Sequence, residues 1–504
     1  MAFISNKSRA AAQAPRPKSG SDSVLNIVAH VLMAGIVHLQ NDLGMIGDKS
    51  AYFVFTILVL TLGLFEMRIE RQRDPRRWLL KPAVLATLLT FMLSYGVTNL
   101  LFLLPVYSSL VISRNIEFHA TMATSQYYTV LALAAMWFGY RMRLSKQIGR
   151  ALGTSFPVSR GTSVTRSAII CMMVIAIVAR SYQLSIGIYG YMSSAEALAA
   201  NVSISQYLAM ASRLGLLALA LAALQAYRRG GQLMDTLMMM VMLVVEVAFG
   251  FLSGFKGAVL TPMIVVILCR YMAGRGISRS HILAGVLLLS LAYVIIEPFR
   301  QSYNAQGRGG APDFASVATM LVASDSVSEG DPLTAASLFQ QVALRMNLSN
   351  IGAHGIDYAD DPARHSPDDP KFLQNILMSP VTAFIPRAVW PSKPLANSGQ
   401  WYTNQVLGKQ INSSTAMGPV SFLYMAGGVT AIVVFFLIIG MIQRALFVWF
   451  NPFASFGGAM IYLAVVGNLA FINSAIDSLF VTMIREVPLI LILSHLIISR
   501  GNRV

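Results

Sequence analysis

Charged residues are scarce in this sequence, and acidic residues are scarcer than basic ones. Of 504 residues, 55% are hydrophobic and 12% are charged, with 22 Asp and Glu against 38 Lys and Arg. A composition of this kind is typical of membrane proteins and excludes an ordinary soluble enzyme. The basic residues lie between the apolar stretches and do not gather on one soluble face, so we expect no nucleic-acid partner.

The sequence has only two cysteines, and it lacks several common catalytic motifs. The two cysteines, Cys171 and Cys269, fall within apolar stretches, where we expect packing and no disulfide bond. The sequence has no G-x-x-x-x-G-K-[ST] nucleotide loop, no G-x-S-x-G elbow and no H-E-x-x-H zinc helix. The connection after the first apolar stretch has Asp42 and Asp48 six residues apart and no close pair of acids that would hold a metal, so we predict no metal and no other cofactor.

Long apolar stretches are what the sequence does contain. A hydrocarbon layer of about 30 Å needs about 20 apolar residues per helix, and the stretches 282–296 and 429–442 carry no charge at all. Such continuous runs predict an all-α polytopic membrane protein with about twelve transmembrane helices and one large periplasmic loop that contains short helices. The predicted spans are 24–41, 50–66, 82–105, 124–140, 167–185, 206–226, 233–252, 257–270, 281–297, 418–442, 453–472 and 479–498.

Basic residues recur in every second connection between these spans. The connections after the second and fourth spans contain six each: Arg68, Arg71, Arg73, Arg76, Arg77 and Lys81, then Arg141, Arg143, Lys146, Arg150, Arg160 and Arg166. Because short loops retain Lys and Arg in the cytoplasm, we predict a bacterial inner-membrane protein with both termini cytoplasmic. The chain then divides into a tail (1–23), nine helices (24–297), a periplasmic loop (298–417), three helices (418–498) and a second tail (499–504).

The loop 298–417 is long enough to carry the function. It holds nine acidic residues between Asp313 and Asp369. Apolar spacing predicts a helix over 333–348, and the apolar stretch 372–390 predicts a hairpin or re-entrant element at the membrane surface. The stretches 306–312 and 357–369 are rich in Gly or in acids, and we expect flexible connectors there.

Five cations at the outward side are candidate ligands for an anionic group. An Arg or Lys held at a membrane face is costly unless it pairs with an anion, and a lipid-linked pyrophosphate lies at that depth. Each of these cations also has a simpler interpretation. Lys256 or Arg300 alone could extend to the lipid headgroups, and Arg345, on the predicted loop helix, could form an ordinary salt bridge. The candidates are Lys256, Arg300, Arg345, Arg387 and Lys393.

The sequence identifies a general base and the aromatic rings that contact sugars less clearly than it identifies the cations. Glu297 lies beside Pro298, where we expect the helix to break. The imidazoles of His354 and His365 flank the acidic stretch and are two further candidate bases, although all three residues also fit solvated loop positions. Tyr303, Trp390, Trp401 and Tyr402 suit sugar stacking as well as an aromatic belt at the membrane interface. Inside the last span, Arg485 and Glu486 fit structural pairing within the bundle.

Several short motifs between about residues 250 and 430 resemble one known family. They are Ser253-Gly254-Phe255-Lys256-Gly257, Phe299-Arg300 with Tyr303, Leu344-Arg345, the stretch from Phe384-Ile385-Pro386-Arg387 to Trp390-Pro391-Ser392-Lys393-Pro394, and Ser414-Thr415-Ala416-Met417-Gly418-Pro419 followed by Tyr424 and Gly427-Gly428. This pattern resembles the Wzy-type oligosaccharide repeat-unit polymerases, which include O-antigen and exopolysaccharide polymerases. It covers about a third of the chain.

The resemblance implies a metal-independent, inverting glycosyltransferase that joins undecaprenyl-pyrophosphate-linked repeat units. Its pyrophosphate would be bound by the five cations named above, its sugars by Tyr303, Trp390 and Tyr424, and its base would be Glu297 or His354. Membrane lipids and a chain-length regulator protein are the other implied partners. The chain departs from the family at Lys256, where Arg is frequent, and at Ser421, near which an acid is frequent, so the base stays open.

Two other functions fit the same hydropathy. An O-antigen ligase shares the twelve-span plan and the large outward loop. A flippase for lipid-linked oligosaccharides is the second alternative, although flippases place their charged residues along a central cavity.

Overall fold

The protein is nearly all helical. The computed structural model describes residues 21–101, 120–159, 161, 163–193, 195–228, 232–305, 346–367, 369–385, 390, 398–408, 415–470 and 476–499. Helices of the N-terminal half are α1 (Ser21–Asp42), α2 (Asp48–Arg73), α3 (Pro82–Leu100), α4 (Ala120–Arg141), α5 (Arg143–Ser155), α6 (Arg166–Ser185), α7 (Ala195–Ala200) and α8 (Val202–Arg228). Then follow α9 (Leu233–Leu252), α10 (Lys256–Met272), α11 (Arg279–Ala305), α12 (Leu348–Asp360), α13 (Phe372–Phe384), α14 (Ser398–Trp401), α15 (Pro419–Phe450), α16 (Phe456–Ala470) and α17 (Ile476–Ile497).

Each predicted span coincides with one of these helices. Among the described residues, eight helices are long and apolar enough to cross a membrane: α1, α2, α3, α6, α8, α9, α11 and α15. Helices α10 and α16 have 17 and 15 residues, which is short for a full crossing. A single antiparallel pairing of Ser163–Val164 with Ile498–Ser499 is the strand structure in the described part of the chain.

The predicted basic connections meet at one end of the bundle, here called the basic end. Arg77 lies over the Phe453 ring, and Arg228 lies over the Phe456 ring. The strand pair brings the C-terminal segment to the start of α6 at the same end. Because these contacts join connections that are far apart in sequence, the alternation of sides predicted from charge is matched by the packing.

A buried charge network ties three helices together at the basic end. Glu66 and Glu70 on α2 both accept hydrogen bonds from the guanidinium of Arg141 on α4. Lys81, just before α3, pairs with Glu70, and Ser23 on α1 donates to Glu66 at 2.8 Å. All four charged side chains are nearly fully buried. The free-energy cost of removing each charge from water must therefore be offset by its partners in the network.

Helix α12 lies inside the opposite end of the bundle, here called the loop end. Asn99 on α3 donates to Ser349 at 3.0 Å and accepts from Asn347 at 3.0 Å. Ser349 donates to Gln126 of α4 at 2.9 Å, and Asn347 caps α12 by accepting from the Asn350 backbone. These polar contacts fix the first turn of α12 between α3 and α4. Part of the predicted loop is therefore built into the bundle.

The interruptions of the long helices differ from the prediction. Helix α11 continues through Pro298 to Ala305, so the expected break is wrong. A proline removes one backbone hydrogen bond, which helices tolerate when neighbours support them. The main interruption lies in α15, where Gly427 and Gly428 have non-helical backbone angles and Gly428 has a φ of 64°.

Candidate functional site

A polar cavity opens at the loop end where α12 meets the interrupted part of α15. It has a volume of about 550 Å³. Its walls come from the end of α12, the segment 365–372, Trp401 and the glycine pair of α15. The polar lining side chains are Tyr358, Asp360, His365, Ser366, Asp369, Lys371, Trp401 and Tyr424. Sugar-sized ligands fit a cavity of this size.

The Asp360 carboxylate forms one edge of this cavity. It is the last residue of α12, and its Oδ1 accepts a hydrogen bond of 2.7 Å from the Tyr424 hydroxyl. The Tyr424 ring stacks on Tyr128 of α4, with 5.1 Å between ring centroids. Two helices of the bundle therefore hold the hydroxyl that orients Asp360, whose side chain is exposed to solvent.

Asp369 is the second carboxylate that lines the cavity, and three donors hold it in place. Its carboxylate accepts from the Tyr358 hydroxyl at 2.8 Å, the Ser366 backbone N–H at 3.0 Å and the Trp401 indole at 3.3 Å. Burial, together with the hydrogen bond and charge of Asp369, raises the pKa of Tyr358 to about 12. Tyr358 therefore stays protonated near neutral pH and continues to donate to Asp369.

In the part of 357–369 that the structure describes (357–367 and 369), specific contacts are present where the sequence predicted a flexible connector. Arg364 pairs with Asp357 at 2.9 Å and lies over the Tyr358 ring at 5.1 Å. Asp361 caps a short 3₁₀ turn, Pro362–Arg364, by accepting from a backbone N–H. The acids of this stretch accept local hydrogen bonds, whereas the prediction treated them as solvated charge.

A second cluster at the loop end contains two predicted cations. Arg300 on α11 donates from Nε to the Gly254 carbonyl at 2.9 Å and lies 4.3 Å from the Tyr191 ring centroid. Gly254 has a φ of 66°, a conformation that favours glycine, and it forms the turn that leads into Lys256, the first residue of α10. The structure thus brings Arg300 against the turn that leads into Lys256.

The other predicted site residues are distributed unevenly. Tyr424 lines the cavity, whereas His354 is half-buried on α12 and is not among the lining residues. Trp390 is partly buried, in a stretch whose neighbours are not described. The side chains of Glu297 and Tyr303, and the whole residues Arg345, Arg387 and Lys393, lie outside the described residues.

Sequence reasoning identified some of the polar residues that line the cavity and missed others. Trp401 and Tyr424 were candidate sugar contacts and His365 was a candidate base. Asp360, Asp369 and Lys371 were not predicted as site residues, since the acids resembled a solvated stretch. The available signal was the interruption of an apolar helix by two adjacent glycines, which marks a close approach of backbone or ligand.

Charges inside the bundle are paired with neighbours, as predicted for Arg485 and Glu486. Arg485 donates to the carbonyl oxygens of Thr382 and Ala383 on α13, and Glu486 pairs with Arg213 of α8. The Arg213–Glu486 pair lines a separate cavity of about 440 Å³ between the helices. The contact with Arg485 also attaches α13 to α17, which explains how this apolar loop helix is held.

Comparisons with known proteins give a family without an assigned activity. No curated protein and no solved structure matches the chain. One family model, described as Domain of unknown function (DUF8712), matches residues 50–473, which include both clusters at the loop end. Because the match covers most of the sequence, the chain belongs to this family.

Proposed function

We propose that the protein is a polysaccharide polymerase of the bacterial inner membrane. It would join undecaprenyl-pyrophosphate-linked repeat units by inverting, metal-independent glycosyl transfer at the periplasmic face. In this topology all twelve helices cross the membrane, the basic end faces the cytoplasm and both termini are cytoplasmic. The loop end, with its cavity and its cationic turn, then faces the periplasm.

The observation that carries the proposal is the contact of Arg300 with the Gly254 turn. Aromatic rings of Tyr191 and Phe255 lie under the guanidinium, and the Gly254 carbonyl fixes its direction. A guanidinium held in this way at the end of a helix, beside Lys256, is positioned for a diphosphate at the membrane surface. The resemblance to the Wzy-type polymerases was carried in part by these same residues.

The proposed chemistry uses pyrophosphate as the leaving group. Negative charge grows on the pyrophosphate as its bond to the sugar C1 breaks, and fixed cations stabilise that charge in the transition state. Lys256 and Arg300 would hold it from the bundle, while Arg345, Arg387 and Lys393 would join from the rest of the loop. Tyr303 and Trp390 would contact the sugars.

The test compares two arginines that both lie on aromatic rings at opposite ends of the bundle. A strain that lacks the gene should accumulate single lipid-linked repeat units, and the wild-type gene should restore long chains. Arg300→Ala should leave single units, because the loss of one transition-state contact of this type costs about 10²- to 10³-fold in rate. Arg275→Ala, which removes a guanidinium 5.7 Å from the Tyr227 ring at the basic end, should restore normal polymer.

Equal protein levels of the two variants make this comparison interpretable. Normal long-chain polymer with Arg300→Ala would refute the proposed role of the cationic turn. Unattached long chains in the deleted strain would identify an O-antigen ligase, since a ligase acts after polymerisation.

One observation favours a transporter as the second candidate. The Arg213–Glu486 pair beside a 440 Å³ cavity places charge within the bundle, where flippases bind their substrates. A flippase should move lipid-linked units across vesicle membranes and should lose that activity with Glu486→Gln. A polymerase should show no such translocation.

A further inference from the structure

We infer that the 550 Å³ cavity at the loop end binds the acceptor sugar and that Asp360 accepts the proton of its attacking hydroxyl, an inference that rests on the proposed function. The lining residues of the cavity do not include those of the Gly254 turn. The chain would thus hold the acceptor sugar and the donor diphosphate with different side chains.

The charges of the cavity select a neutral, hydroxyl-rich ligand. Among the lining residues that the structure describes, there are two carboxylates, Asp360 and Asp369, and one ammonium group, Lys371. This balance disfavours a phosphate, whereas sugar hydroxyls donate readily to carboxylates. The Trp401 indole supplies the aromatic surface that carbohydrate sites commonly use.

The interruption of α15 makes room for such a ligand. Gly427 and Gly428 line the cavity, and neither carries a side chain that would fill it. Open space surrounds the position that a Cβ would take at Gly428, and its positive φ of 64° favours glycine. A sugar ring can therefore approach the backbone at this point.

Of the two carboxylates, Asp360 is the one with a vacant oxygen. Three donors occupy both oxygens of Asp369. Among the described residues, Asp360 accepts a single hydrogen bond, from Tyr424 to Oδ1. Its Oδ2 can take a hydrogen bond from an acceptor hydroxyl while Tyr424 keeps the carboxylate oriented.

The step balances as a nucleophilic displacement with proton transfer. The acceptor hydroxyl oxygen forms a bond to C1 of the donor glycan from the face opposite the leaving group. The C1–O bond to pyrophosphate breaks, and its electron pair leaves with undecaprenyl pyrophosphate. The hydroxyl proton moves to Asp360, which later returns it to solvent.

The experiment compares aspartates three residues apart on the same segment. The purified full-length protein is incubated with lipid-linked single repeat units from the deleted strain, and the initial rate of chain growth is measured. Asp360→Asn should lower that rate about 10²- to 10⁴-fold, the usual contribution of a general base. Asp357→Asn removes a carboxylate that pairs with Arg364 outside the cavity and should retain the wild-type rate.

Two further variants separate a chemical role from a folding role. Asp360→Glu keeps the base and should recover part of the rate. Tyr424→Phe keeps the ring stacking on Tyr128, removes the orienting hydroxyl and should slow chain growth less than Asp360→Asn does.

The outcomes distinguish this inference from the proposed function. If wild-type protein extends the chains and Asp360→Asn does so at the same rate, Asp360 is not the base and the inference fails alone. If wild-type protein forms no new glycosidic bond, the polymerase function itself fails.

Discussion

The buried charge network at the basic end allows a quantitative prediction about stability. Glu66, Glu70, Lys81 and Arg141 form two negative and two positive charges, with side-chain exposures between 0 and 8%. Glu70→Gln leaves one buried positive charge without compensation. It also removes the partner of Arg73, which lies 3.6 Å from Glu70 and is 31% exposed. Removing one partner of a buried ion pair costs about 3–5 kcal/mol, which is more than a hundredfold in the folding equilibrium.

A charge-balanced double variant tests whether the cause is electrostatic. Glu70→Gln combined with Lys81→Met leaves Arg141 paired with Glu66 and should recover most of the loss, since apolar replacement of a buried pair is often neutral. Reversible unfolding in mixed micelles measures both variants, with Glu196→Gln on an exposed helix as the matched control. The electrostatic explanation is wrong if Glu70→Gln has the same free energy of unfolding as the Glu196→Gln control. It is also wrong if the double variant is no more stable than Glu70→Gln alone.

Three other predictions concern the loop end. A methyl group added by Gly355→Ala would overlap the Ser421 hydroxyl, so this variant should displace α12 and lower the rate of chain growth. The control, Gly352→Ala, places its methyl group 3.5 Å from the nearest atoms and should keep the wild-type rate in the same assay. Asn99→Ala removes a buried partner of Ser349 and should cost about 1–3 kcal/mol in docking of α12, seen as faster proteolysis of the loop. Chain growth by purified wild-type protein should continue after treatment with EDTA, and its loss together with restoration by added Mg²⁺ would contradict the metal-independent mechanism.

The helices could be predicted because hydrocarbon imposes a simple rule on sequence. Every backbone group must be satisfied within its helix, so apolar length alone marks the spans. The alternation of basic connections then predicted which helix ends meet, and contacts such as Arg77 with Phe453 confirm that they do. The number of true crossings stays a prediction, because eight of the described helices are long and apolar enough to cross a membrane, against the twelve predicted.

The polar interior was much harder to predict. Glu66 and Glu70 lie four residues apart near the end of a span, and nothing local shows that Arg141 and Lys81 would reach them. The same difficulty applies to the docking of α12, since Asn99 and Ser349 are 250 residues apart. Hydrogen bonds between distant segments depend on helix packing, which periodicity does not specify.

Part of the candidate site was predicted from the sequence, and there is a physical reason why the rest was not. Arg300 and the Gly254 turn were identified because a cation at the membrane face and a glycine turn both carry a local signal. Asp360 was not, since an exposed aspartate in an acidic stretch has the same local signature as a solvated one. Its distinguishing feature is the hydroxyl of Tyr424, which is 64 residues away in sequence.

The most direct measurement of the central claim is the size distribution of glycan made by the purified protein in vesicles. Lipid-linked single repeat units are supplied as the sole substrate, and the products are separated by electrophoresis. We predict a ladder of longer chains, with one undecaprenyl pyrophosphate released for each new glycosidic bond. Persistence of single units, with or without their transfer to the other leaflet, would contradict the account.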